Sequence, residues 1–309
     1  MRLVFAGTPA AAVPTLRRLA AEHEVVAVVT RPDAAVGRKR VMTPSAVALA
    51  AAELGLAILK ERRLGDEVTK QIAALAPDLG VIVAYGGLVR EPLLSTPVHG
   101  WINLHFSLLP AWRGAAPVQR ALMAGQEQLG ASVFRLVPAL DAGDVFATRT
   151  YDIAPDATAD EALASLADDG ARLVSDVVAS LANGTARAIP QSGDSTYAAK
   201  LEAEDGLVDW MRPADEVFAR YRGVTSEPGA FTTLAQTRVK VLAMARAVDA
   251  DAHLRPGQLH GVRGGVLVGT ATDALLITRV QPAGKAAMAA SDWFRGLRDG
   301  AAFDTGADA

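Results

Sequence analysis

The chain has 309 residues, half of them apolar, and a formal net charge of −3; that length allows two domains, each with a core of its own. The absence of cysteine excludes disulfides and thiolate chemistry, and five histidines with no close His/Asp/Glu cluster argue against a metal site. No apolar run approaches a membrane span, and the apolar stretch at Met1–Gly7 is too short for a signal peptide, so the expectation is a cytoplasmic protein with no membrane part.

Arg2–Ala6 reads as a buried strand and Gly7-Thr8-Pro9 as a turn. Pro14 falls in the first turn of a helix running to about Ala21, and Glu24–Thr30 is a valine-rich second strand. This opening predicts a parallel sheet with helical crossovers. The Gly7 turn lacks the Gly-x-Gly-x-x-Gly spacing of a dinucleotide site. Arg31–Pro44 reads as a long loop with prolines near both ends and the cations Arg38, Lys39 and Arg40 behind Gly37. Loops of this length in compact domains are often functional; the plain alternative is a solvated charge run. Ser45–Leu54 and Asp66–Ala76 read as helices, Ala57–Lys60 and Leu79–Ala84 as strands. Tyr85-Gly86-Gly87 then breaks the chain at a strand's C-terminal end, where ligands of open α/β sheets sit.

The stretch from Gly100 to Pro117 organises the rest. In an extended strand side chains alternate, so Asn103 and His105 point one way and Leu104 and Phe106 the other. An amide donor beside an imidazole at a strand end suits oxyanion stabilisation and proton transfer; the bland reading is a polar strand end with a satisfied histidine. Pro117–Ala124 starts a helix. Ala131–Val137 and Val145–Tyr151 read as strands joined by a turn carrying Asp141 and Asp144, which is either an ordinary turn or a way to bring a carboxylate to Asn103 and His105. Ala159–Leu181 is a long amphipathic helix closed by Asn183-Gly184.

Ala188–Asp205 is polar and reads as an interdomain linker, giving domains 1–187 and 206–309. After a helix near Ala214–Arg222, short strands at Ala230–Thr233, Arg238–Ala245, Gly265–Gly269 and Ala274–Val280 suggest a small β-barrel. Gly300–Ala309 reads as a frayed tail. Residues 1–205 carry 19 basic and 23 acidic side chains, whereas residues 206–298 carry 12 and 8. A mildly basic second domain permits a phosphate-bearing partner without demanding one.

The longer string Asn-x-His-x-Ser-Leu-Leu-Pro, followed by Trp112-Arg113-Gly114-Ala115-Ala116-Pro117, resembles the signature of the folate-dependent formyltransferases. The continuation Val118-Gln119-Arg120 is most similar to the branch that acts on methionyl-tRNA. The likeness extends over nearly the whole chain: Phe5–Pro9, Arg31–Asp33 through Arg38, Val83–Gly86, Leu140–Asp144, Tyr197–Leu201, Val208–Trp210, Glu227–Ala230, and Gln281-Pro282-Ala283-Gly284-Lys285. The sequence departs from that pattern at Lys39, where a second glycine is common, at Gly223–Glu227, and at Val133–Ala139 before Asp141.

The resemblance implies a doubly wound, mainly parallel α/β domain joined to a small OB-like β-barrel. It implies an enzyme that moves a formyl group from 10-formyltetrahydrofolate to the α-amino group of methionyl-initiator tRNA, with no metal, no covalent enzyme intermediate and no obligate protein partner. By motif match Asn103, His105 and Asp141 are the catalytic set. Ser107, Leu108, Leu109, Pro110, Tyr85 and Gly86 belong to the folate site, and Arg38, Lys39 and Arg40 to the tRNA-reading loop. The chemistry is compatible. Asn103 and a protonated His105 donate to an oxyanion, while Asp141 favours the imidazolium and orients a water. A formyltransferase for amino sugars is the nearest alternative, and a non-catalytic RNA-binding module is the alternative of another class; the intact trio argues against the second.

Overall fold

The computed structural model describes residues 1–37, 40–247, 253–298 and 300–305. The chain divides into two compact units. The first comprises residues 1–117, 128–152 and 163–198, and the second 118–127, 153–162 and 199–309.

The first unit is built on a seven-stranded sheet of β1 (Arg2–Gly7), β2 (Glu24–Thr30), β3 (Ile58–Lys60), β4 (Leu79–Val83), β5 (Trp101–His105), β6 (Gln128–Arg135) and β7 (Val145–Asp152). Their order is β7-β6-β5-β4-β1-β2-β3. The pairs from β3 through to β5 are parallel, and β6 and β7 add antiparallel strands at the β5 edge. The strand order reverses between β1 and β4. The parallel strands are nearly continuous apolar runs, as a sheet covered on both faces requires. Val4, Ala6, Ala27, Val29 and Ile82 pack with Val68 and Ile72 of the helix Asp66–Ala74. On the opposite face Leu104 lies so close to Gly170 of the helix Ala159–Ala182 that a Cβ there would stand 2.8 Å from it. The helix Ala46–Glu53 starts at Ser45, whose hydroxyl accepts from the Ala48 N–H at 3.0 Å, a cap worth about 1 kcal/mol.

Two expectations change here. The Arg31–Pro44 loop contains an antiparallel ribbon of Ala34–Val36 with Val41–Thr43; alternation over three residues a side is too short to read in sequence. Arg38 and Lys39 lie outside the described residues. The polar stretch after Ala188 is hydrogen-bonded into the first unit over its first part. Ile189 bridges Val145, and Tyr197–Ala198 pairs in parallel with Arg113–Gly114.

The second unit carries a curled antiparallel sheet, an OB-like half-barrel, in the order Phe231–Leu234, Thr237–Arg246, Ala274–Pro282, Gly265–Gly269, Leu259–Val262. The Leu259–Val262 strand escaped the sequence reading because His260 and Gly261 interrupt its pattern. A second correction concerns the tail. Phe303 is buried and stacks between Trp210 (centroids 5.5 Å apart) and Trp293 (5.7 Å). The Asp304 carboxylate accepts from the Ala235 and Gln236 N–H groups at 3.0 and 2.8 Å. Residues 300–305 are therefore anchored, with Phe303 in the core; a lone aromatic among small residues gives no periodic signal. Residues 306–309 of the expected tail lie outside the described residues.

Candidate active site

Asn103 and His105 stand on one face at the C-terminal end of β5, as alternation requires. The register places Asn103 beside Ile82 and Phe134, and His105 beside Ser132. The Asn103 Oδ1 is buried without a hydrogen-bond partner. His105 is 6% exposed and meets the Phe134 ring edge-on. Its Nε2 lies 2.8 Å from the Trp112 carbonyl oxygen. A carbonyl only accepts, so Nε2 carries a proton and the lone pair of the neutral ring is on Nδ1. Nδ1 lies 3.9 Å from Asp141 Oδ2.

Burial lowers the His105 pKa below its ordinary value, while the Asp141 charge and the Trp112 carbonyl pull the other way. The net direction is down, so the resting imidazole is neutral near neutral pH. This corrects the expectation of a protonated donor: the sequence places the acid nearby but does not show how dry the ring is. Two acceptors, Nδ1 and a carboxylate oxygen, then face one another, an arrangement that favours an N–H donor between them.

The loop after β6 brings Asp141 to the β5 end. Asp141 has φ +46°, in the left-handed region that costs an L-residue of order 1–3 kcal/mol unless its surroundings hold it there. Its Oδ2 accepts from the Gly114 N–H at 2.8 Å. Gly114 must be glycine: its φ is +122° and a Cβ would stand 2.6 Å from the Ala198 carbonyl oxygen. Gly143 faces a tighter limit, with a Cβ only 1.8 Å from the Arg135 carbonyl oxygen.

The expected folate-side residues divide into two groups. The Ser107 hydroxyl donates to the Ala111 carbonyl at 2.6 Å, and Ser132, fully buried, donates to the Ser107 carbonyl at 2.7 Å and accepts from the Leu109 N–H at 3.1 Å. The Ser107 proton is thus committed to the turn, in which Leu108 is exposed and Leu109 and Pro110 are half-buried. The Tyr85 ring lies in the core with its hydroxyl donating to the Glu61 carbonyl at 2.9 Å. What this bend offers a ligand is backbone at Gly86, exposed with φ +75° and open space where a Cβ would be. Arg40 is exposed on the ribbon. The sequence reading missed Ser132, Gln191 and Thr196. Thr196 Oγ1 accepts from the Trp112 N–H at 2.9 Å and so steadies the carbonyl that sets the His105 tautomer. Among the described residues no group of three His, Cys, Asp or Glu side chains is placed to hold a metal ion.

A family described as "Formyl transferase" matches residues 1–178, and one described as "Formyl transferase, C-terminal domain" matches residues 200–298. The chain is 57% identical to the methionyl-tRNA formyltransferase of Leifsonia xyli subsp. xyli, over 96% of this chain and 97% of that protein. It is 56% identical to the protein of the same name from Clavibacter sepedonicus over equal shares. The chain belongs to the methionyl-tRNA formyltransferase family. Solved structures at low identity share its fold. WlaRD, a sugar 3N-formyl transferase, superposes with a TM-score of 0.68 at 13% identity, over 93% of this chain and 99% of that one. HypX from Aquifex aeolicus gives 0.68 at 18% identity over 96% of this chain; this chain spans about half of HypX, 48% of its length. For a methionyl-tRNA formyltransferase the departures noted before Asp141 are immaterial to the backbone path, since Asp141 still reaches the His105 ring.

Proposed function

We propose that this enzyme formylates the α-amine of methionyl-initiator tRNA from 10-formyltetrahydrofolate at Asn103, His105 and Asp141, in the cytoplasm. The observation that carries the site is the convergence of the His105 lone pair and the Asp141 carboxylate beside an amide whose Oδ1 is buried and unpartnered. The donor supplies an amide-like formyl carbon. Asn103 donates to the oxygen on which negative charge develops. The neutral His105 accepts the proton that the attacking amine must lose, Asp141 stabilises the imidazolium so formed, and that proton passes to the departing folate nitrogen as the tetrahedral intermediate collapses and the donor's C–N bond breaks. The substrate amine is itself the nucleophile, and the Ser107 hydroxyl, donating to Ala111, is not placed to act as one. The turn Ser107–Pro110 and the backbone at Tyr85–Gly86 border the folate.

Residues 1–187 carry the catalytic groups in this reading and 206–309 the tRNA-binding part, while the connection 188–205 is paired into the catalytic unit as far as Ala198. The strands of the second sheet carry Arg238, Lys240, Arg246 and Arg279 and no acidic residue among the described ones. Arg238 and Lys240 are exposed on one face, with Arg238 lying 3.5 Å over the Phe231 ring. Arg38, Lys39 and Arg40 position the acceptor end, phosphate contacts setting register.

Formate incorporation into charged initiator tRNA under single turnover, with saturating donor, tests the site. Asn103→Ala, His105→Ala and Asp141→Ala each lose about 10²–10³ in rate, as removal of one oxyanion donor does elsewhere, while folate binding persists. Near-normal rates in the Asn103 and His105 variants reject the trio.

A further inference from the structure

We propose that Gln191 is a positioning residue for the Asp141 carboxylate, an inference that rests on Asp141 belonging to the reactive set. Its side chain uses all four of its hydrogen-bonding positions. Nε2 donates to the Asp141 carbonyl at 2.8 Å and to the Gly143 carbonyl at 2.8 Å. Oε1 accepts from Arg113 Nε at 3.2 Å and from Arg113 Nη2 at 2.5 Å. Carbonyls only accept and a guanidinium only donates, so the orientation of the amide is fixed by its partners.

These four bonds join the two segments that define the carboxylate. One is the Asp141–Gly143 turn, which carries the Asp141 Cα in its left-handed conformation. The other is Arg113–Gly114, whose Gly114 N–H holds Oδ2. The brace itself is anchored on either side, by Ile189 on Val145 and by Tyr197–Ala198 on Arg113–Gly114. Gln191 thus sets the distance between the Asp141 backbone and the amide that orients its side chain. Loss of that spacing lets Oδ2 drift from Nδ1 of His105. Asp141 is the charged group acting on that ring, and the Trp112 carbonyl and Phe134 are its neutral neighbours. With Asp141 displaced, the Trp112 carbonyl alone opposes burial and the imidazole pKa falls further.

The test uses the full-length enzyme with methionyl-tRNA. Gln191→Met keeps length and removes every hydrogen bond. Gln191→Glu keeps the acceptor for Arg113, and hence the fold, while presenting an oxygen to the two carbonyls. Both are expected to lose kcat by about 10–10²-fold, the scale of a misplacement near 1 Å, with KM for donor and tRNA little changed. The acid limb of the Gln191→Met rate profile moves to lower pH. Placed on Asp141→Asn, Gln191→Met adds less than about twofold, because residues that act as a unit are not additive. A full further loss on that background, or a kcat loss in Gln191→Met with an unmoved acid limb, shows a merely structural role and overturns the inference. Normal kcat in Gln191→Met or Gln191→Glu, alongside a crippled Asp141→Asn, overturns it too. Normal turnover in Asp141→Asn instead overturns the reading of Asp141 on which it rests.

Discussion

Two stretches that look dispensable in sequence, residues 189–198 and residues 300–305, are both held in place, but by different forces. The first is held by hydrogen bonds: Gln191 to Arg113, Asp141 and Gly143, and Thr196 to the Trp112 N–H. The second is held by aromatic burial, with Phe303 between Trp210 and Trp293. Hydrogen bonds are directional and modest in net stability, about 0.5–1.5 kcal/mol each. A buried aromatic ring is weakly directional and contributes several times more. On the proposed reading, the polar brace serves geometry at Asn103, His105 and Asp141, and the aromatic clasp serves folding.

The sharpest way to break that contrast is Phe303→Ala. The expected cost is about 3–5 kcal/mol of unfolding free energy, seen as a fall in the denaturation midpoint, while turnover of the folded enzyme at low temperature stays at the wild-type level. Lost turnover with unchanged stability would reverse the roles assigned to the two stretches. Gly143→Ala has the next largest effect. Its Cβ meets the Arg135 carbonyl oxygen at 1.8 Å, so the Asp141 turn must move, and a displacement near 1 Å costs about 10² in rate. Turnover should suffer more than stability, and a variant with wild-type kcat would show that the turn's position is not critical.

The smallest effect tests whether any polar clamp influences activity. In the second unit Arg120 grips Asp205 through both oxygens at 2.7 and 2.8 Å, both groups mostly buried. Asp205→Asn is expected to cost about 1 kcal/mol with kcat unchanged. The Arg120 hydrogen bonds hold the Asp205 carboxyl below its ordinary value of 3.8. A depressed carboxylate pKa means that the folded state binds fewer protons than the unfolded chain. The stabilisation is therefore full above the ordinary value and fades as pH falls through the depressed one. Wild type and Asp205→Asn should converge in stability at strongly acid pH; a gap that persists there would remove the charge from the explanation.

What the residues alone determined is local. Period-two alternation put Asn103 and His105 on one face, valine-rich runs marked the parallel strands, and Tyr85-Gly86-Gly87 marked a bend at a strand end. An ordered set of motifs pointed to formyl transfer. Alternation and propensity act over a few residues, so a chain carries them openly. The tertiary structure decided what depends on remote backbone. It chose the His105 tautomer through a carbonyl seven residues on, and dried the ring so that it rests neutral. It bent Trp112 and Asp141 into the left-handed region, at φ +59° and +46°. It brought Gln191 across 50 positions to hold that bend, and Phe303 back between two tryptophans. A hydrogen bond has an angle as well as a length, and a stacked ring needs two partners at once. Neither condition is written in the spacing of residues along a chain, because both are met only when distant segments are fixed in space together.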